Sequence, residues 1–115
     1  MPMLQISTNV DQSVFDEPFL KEATTSLSKL LGKPESFVMV AVHGNTQMSF
    51  GGSTQPTALV TLESIGGICE TKNAEYSSEI FRLLQSKGIE SNRTFIKFVG
   101  LERSNVAWNG KLFSQ

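Results

Sequence analysis

Cysteine is almost missing from this chain, and histidine with it. Cys69 is the only cysteine and His43 the only histidine among 115 residues. No intrachain disulfide can form, and no Cys/His set with metal-ligand spacing exists, so no metal site is expected. A basic block is missing too: ten Lys and Arg stand against eleven Asp and Glu, for a formal net charge of −1. That balance lacks the electrostatic footprint of a nucleic-acid binder or of a protein held on an anionic membrane. No apolar run approaches the ~18–20 residues of a membrane span. The N-terminus lacks the basic-then-apolar form of a secretory signal. A cytosolic protein with neither nucleic acid nor membrane as partner is the default. The glycine-rich fingerprints of nucleotide sites are also absent, so Gly66-Gly67 reads as a tight turn rather than an anion cradle.

What is present is ordered. The length suits one domain, 1–115, with one core, and is small enough to gain from oligomerisation. Met3–Ser7 alternates apolar and polar residues and reads as a strand. A helix over Glu17–Leu31 follows, with Phe19, Leu20, Ala23, Leu27, Leu30 and Leu31 at spacings of three and four. Asp16 is its expected N-cap, Pro18 suits its first turn, and Gly32 followed by Pro34 ends it. FVMVAV (Phe37–Val42) reads as a strand covered on both faces.

The pattern then recurs. TALVTL (Thr57–Leu62) reads as a strand, SIGG as a turn, and Asn73–Lys87 as a helix burying Tyr76, Ile80, Leu83 and Leu84. Asn73 is the expected N-cap and Gly88 the stop, and TFIKFV (Thr94–Val99) is a further strand. The order βαβ, βαβ predicts an α+β fold: a four-stranded mixed sheet with two helices on one face. FVMVAV and TALVTL are apolar on both faces, so the second sheet face needs a cover, and another copy of the chain is the economical one.

Pro2 stands directly before the first strand. Proline donates nothing to a sheet ladder and is tolerated where a strand begins. A second reading is chemical. While Met1 is attached the Pro2 nitrogen is an amide; once Met1 leaves, it is a secondary amine and a base. The deciding matter is whether the chain builds a pocket around it.

The opening MPM, Gly32-Lys33-Pro34, MSFGGS (Met48–Ser53), SIGG (Ser64–Gly67) and NVAWN (Asn105–Asn109) together resemble the macrophage migration inhibitory factor family of the tautomerase superfamily, over essentially the whole chain. The resemblance implies a homotrimer whose three sheets form an inner barrel with the helices outside. It implies a cofactor-free keto–enol tautomerase of phenylpyruvate type, with the mature N-terminal Pro2 as base and a small keto or enol acid as substrate. Lys33 and the Ile65 backbone N–H would hold the substrate carboxylate, with Ser64 beside them. Met3, Phe37, Val106, Trp108 and Phe113 would line the pocket, and Phe95 and Lys97 would enter it from the neighbouring subunit. The resemblance also leaves secretion by a non-classical route open.

Each residue has a plainer reading. Lys33 is a cation at a helix C-terminus, where it complements the dipole. Val106, Trp108 and Phe113 could be subunit packing. The departures from the family pattern are at Phe95 and Lys97, where the better-known animal members carry tyrosine and asparagine, and at Phe37, where they carry tyrosine. A hydroxyl is lost and a charge gained, so altered activity is expected. The stretch matching the family's C-x-x-C redox motif is Thr57-Ala58-Leu59-Val60, without either cysteine, so that activity should be absent. Two other functions stay open: a non-enzymatic, cytokine-like interaction protein, and a dopachrome-type tautomerase with a different natural substrate.

Overall fold

The alternation at the start of the chain sends Leu4, Ile6 and Thr8 to one face and Met3, Gln5 and Ser7 to the other. In the computed structural model, which describes residues 1–115, this segment is strand β1 (Met3–Thr8). It is followed by α1 (Glu17–Leu31), β2 (Met39–His43), β3 (Ala58–Ser64), α2 (Glu70–Gln85) and β4 (Thr94–Gly100). The sheet order is β2-β1-β3-β4. β1 pairs in parallel with β2, β3 in parallel with β4, and the two halves join through antiparallel β1 and β3. This is the doubled βαβ unit that the sequence pattern predicts.

Both helices pack on one face. Leu4, Ile6, Val60 and Leu62 of the sheet meet Phe19, Ala23, Leu27 and Leu31 of α1 and Tyr76, Ile80, Leu83 and Leu84 of α2 in one apolar cluster. Burying each large aliphatic side chain there contributes about 1.5–3 kcal/mol. The ends of α1 follow its sequence. Asp16 accepts a hydrogen bond from the Phe19 N–H (3.1 Å), and Pro18 sits in the first turn. Gly32 takes φ +65°, and its N–H and that of Lys33 both donate to Ser28 O. That closing pair fixes the direction in which Lys33 leaves the helix.

Several details differ from expectation. α2 starts at Glu70, three residues before Asn73, with Cys69 in the cap position and no side-chain cap bond. Its first turn holds no apolar residue, so periodicity has nothing to register until Tyr76. Phe37 is not in a strand: Glu35–Phe37 is a short 3-10 turn after Pro34, and β2 begins at Met39. The C-terminal segment also forms a hairpin, β5 (Ala107–Trp108) and β6 (Lys111–Leu112). Asn109 (φ +51°) and Gly110 (φ +86°) are its two turn residues, the pair that a mirror-type hairpin turn demands.

The second sheet face is open in the single chain, and it is more polar than expected. Its three rows are Met39, Met3, Glu63, Val99; Ala41, Gln5, Thr61, Lys97; and His43, Ser7, Leu59, Phe95. The reason is alternation: Val40, Val42, Val60 and Leu62 all turn toward the helices, leaving polar neighbours outside. Large apolar groups remain at opposite corners, with Met39 60% and Phe95 65% exposed.

Candidate functional site

Pro2 lies buried at the head of β1, where its carbonyl accepts from the Met39 N–H (3.0 Å). One step beyond the last registered pair, Met3 with Glu63, it stands beside Ser64. The N-terminal amine one residue upstream is held below the usual α-amine range, first by burial and then by the positive charge of Lys33. Both causes disfavour the ammonium form. Lys33 itself is half-buried and makes no ion pair.

The Ser64–Gly67 turn is set from below. Ser64 is fully buried, its carbonyl accepts from the Leu101 N–H (2.9 Å), and its hydroxyl has no partner. Gly66 and Gly67 take φ +78° and +79°. Gly67 O accepts a hydrogen bond from the buried Tyr76 hydroxyl (2.7 Å). A Cβ at Gly67 would meet Leu31 Cδ2 at 3.3 Å and Tyr76 Oη at 3.4 Å. The turn that carries Ile65 is thus seated on both helices.

An aromatic group closes this end of the sheet. Phe37 packs edge-on against Trp108 (ring centroids 5.0 Å, 71°) and Phe113 (6.4 Å, 67°), while Trp108 and Phe113 stack at 6.3 Å. The Phe113 N–H donates to Val106 O (3.0 Å), folding the chain end back over the hairpin. Met3 is on the open face beside Met39. Of the residues singled out from sequence, then, Pro2, Met3, Lys33, Phe37, Ser64, Ile65, Val106, Trp108 and Phe113 gather at one end of one chain.

Phe95 and Lys97 do not join them. Phe95 is in the far row, four residues along from Met3, which is about 13 Å at strand rise. There its ring lies 5.2 Å from that of Phe50, beside a cavity of about 430 Å³ lined by Met48, Phe50, Leu59 and Phe95 among others. Lys97 is exposed in the middle row and makes no ion pair. A larger cavity, about 620 Å³, lies between the helices and is walled by Thr25, Ser26, Lys29, Glu75, Glu79 and Arg82. It is remote from Pro2, and the Arg82 guanidinium there is already taken up by Glu79 and Glu22. Arg93, at the far end, is a residue to which the sequence assigns no role, and it holds a whole loop. No helix is long and apolar enough to cross a membrane.

An α+β sheet of paired βαβ units with a buried Pro2 and a partly buried N-terminal amine beside a lysine defines a recognisable class, and comparison with known proteins agrees. The family model "Macrophage migration inhibitory factor (MIF)" matches residues 1–114. The macrophage migration inhibitory factor homologs of Trichinella spiralis and Brugia malayi are each 40% identical over 114 residues. These alignments cover 98% of this chain, with 100% of the first relative and 99% of the second. The solved structure of the factor from Trichinella spiralis superposes with a TM-score of 0.91 at 39% identity, covering 96% of this chain and 98% of that one. The chain belongs to the macrophage migration inhibitory factor family.

Proposed function

We propose that the chain, once Met1 is removed, is a cofactor-free keto–enol tautomerase acting on small α-keto acids of phenylpyruvate type. The observation that carries this is the partly buried N-terminal amine, directly ahead of the buried Pro2, pushed toward its neutral form beside the unpaired Lys33. Removing Met1 moves the free amine one residue inward, onto the buried Pro2, where burial would act in the same direction. A neutral secondary amine near pH 7 takes the enol O–H proton; the electron pair shifts to form the C=O, and the resulting ammonium returns the proton to carbon. No redox partner is needed. Lys33 and the Ile65 N–H receive the carboxylate, and Ser64 lies beside them. Met3, Phe37, Val106, Trp108 and Phe113 wall the aryl end.

The exposure of Phe95 and its distance from Pro2 support a site completed by a second copy, in a homotrimer whose sheets line an inner barrel. Phe95 and Lys97 would then approach Pro2 from the neighbour. The test begins with intact mass, to establish a chain lacking Met1. Enol-to-keto conversion of phenylpyruvate is then followed by absorbance beside a Pro2→Gly variant. General-base catalysis is worth about 10²–10⁴-fold, so the variant should lose at least about a hundredfold. Equal rates would remove Pro2 from the mechanism. A non-enzymatic, cytokine-like role is the second reading, favoured by the replacement of polar pocket groups at Phe37 and Phe95; an inactive wild-type chain lacking Met1 would support it.

A further inference from the structure

Arg93 ends a short turn (Ser91–Arg93) just ahead of β4, and its guanidinium is committed to a loop that lies about 40 residues earlier. Nε donates to Pro56 O (2.9 Å), Nη1 to Phe50 O (3.4 Å), and Nη2 to both Ser53 O and Gln55 O (3.0 Å each). In return the Thr57 hydroxyl donates to Arg93 O (2.6 Å). Arginine's planar fork of five donors can hold four carbonyls at once; lysine's ammonium has three donors and no plane. The same guanidinium lies 5.5 Å from the centre of the Phe50 ring. Phe50 and Ser53 exchange both backbone bonds (2.9 and 3.0 Å) across Gly51 and Gly52, which take φ +57° and +80°.

The result is a fixed Phe50, and what it faces is informative. Its ring packs at 5.2 Å and 46° against Phe95, which is 65% exposed and has no other aromatic partner. Met48 and Leu59 flank the pair at the edge of the cavity. A phenylalanine at position 95 has no hydroxyl with which to orient a substrate, so ring packing is what this wall offers.

We infer that Phe50 is a specificity-determining wall residue of the substrate pocket, paired with Phe95, and that Arg93 is the residue that positions it. This rests on the reading above, in which Phe95 reaches the pocket of a neighbouring copy. Phe50 touches the aryl end of the ligand, and Arg93 acts only through the loop that carries Phe50.

The test separates aryl from alkyl carboxylates without requiring turnover. The chain lacking Met1 is titrated with 3-phenylpropanoate and with butanoate, neither of which enolises, and binding is read from the fluorescence of Trp108, the only tryptophan. Phe50→Leu should weaken 3-phenylpropanoate binding by about three- to tenfold, the range of one aromatic pair. Butanoate binding should change less than about twofold. Arg93→Lys should reproduce the Phe50→Leu pattern rather than rescue it. The double variant should be no weaker than the weaker single one. In the phenylpyruvate assay Phe50→Leu should raise KM and leave kcat within about twofold. Should Arg93→Lys fail to fold, Phe50→Leu alone decides. An unchanged ratio between the two acids in Phe50→Leu overturns the inference, as does absence of binding of either acid to the wild-type chain. Selective aryl binding without any turnover would sink the tautomerase reading and uphold the wall.

Discussion

At the residue scale the proposed chemistry turns on two nitrogens. The amine at the chain start is held below its ordinary range by burial and then by Lys33. If the same causes act on the Pro2 amine once Met1 is gone, its base form persists to lower pH than that of an exposed prolyl amine, and the acid limb of kcat/KM should shift down accordingly. Lys33→Gln removes the cation, so the amine becomes a stronger base and the acid limb should move up in pH. KM should rise as well, by about ten- to a hundredfold, for the loss of a charged hydrogen bond. A pH–rate profile on both proteins checks the two effects separately. Stability follows the same linkage. The unfolded amine binds its proton at higher pH than the folded one, so stability falls as pH drops from about 8 through the lowered value. Lys97 is a different case, since it is exposed. If it draws in an anionic substrate, Lys97→Asn should raise KM about two- to fivefold at low salt. The difference should shrink as ionic strength shortens the reach of the charge.

At the scale of elements, α1 was readable end to end because every boundary signal lay in its own sequence: Asp16, Pro18 and Gly32. α2 was not, since its start depends on a turn of polar residues with no side-chain cap. Phe37 escaped the strand because the residues after Pro34 were spent on a 3-10 turn. That displacement is what sets its ring against Trp108. The Asn109-Gly110 pair announces the hairpin, but its strands are only two residues long, too short to carry periodicity. Arg93 was illegible for a deeper reason: its partners are main-chain carbonyls, which any residue possesses. The seat of the Ser64–Gly67 turn supplies a direct test. Tyr76→Phe deletes the donor to Gly67 O and leaves that carbonyl unpaired. It should cost about 1 kcal/mol and lower Tm by roughly 4 °C, read by thermal melting.

The whole molecule raises the matter of its open sheet face. The resemblance assigns Phe95 and Lys97 to a neighbouring subunit, and within a single chain Phe95 lies at the far end of the sheet from Pro2, with Lys97 in the row between. Strand register makes that separation unavoidable: β1 and β4 run antiparallel on either side of β3, so the start of β4 lies far from the start of β1. On the proposed reading the divided site is completed by a neighbour. Sedimentation should therefore find an assembly of three 12.6 kDa chains. Leu59→Arg, which places a charge in the far row beside Phe95, should yield monomers and lose tautomerase activity at the same time. A fully active monomer would mean that the site is not shared.

The loop from Phe50 to Pro56 has its shape written elsewhere in the chain. Arg93 holds four of its carbonyls; Asn9 Nδ2 donates to a fifth, Thr54 O (3.0 Å), and shares Gln55 O (3.1 Å) with Arg93. The exposed side chains of Thr54 and Gln55 take no part in these bonds. Such a loop should accept a fluorophore through Gln55→Cys without losing its outline, because Asn9 and Arg93 hold the carbonyl of residue 55 and not its side chain.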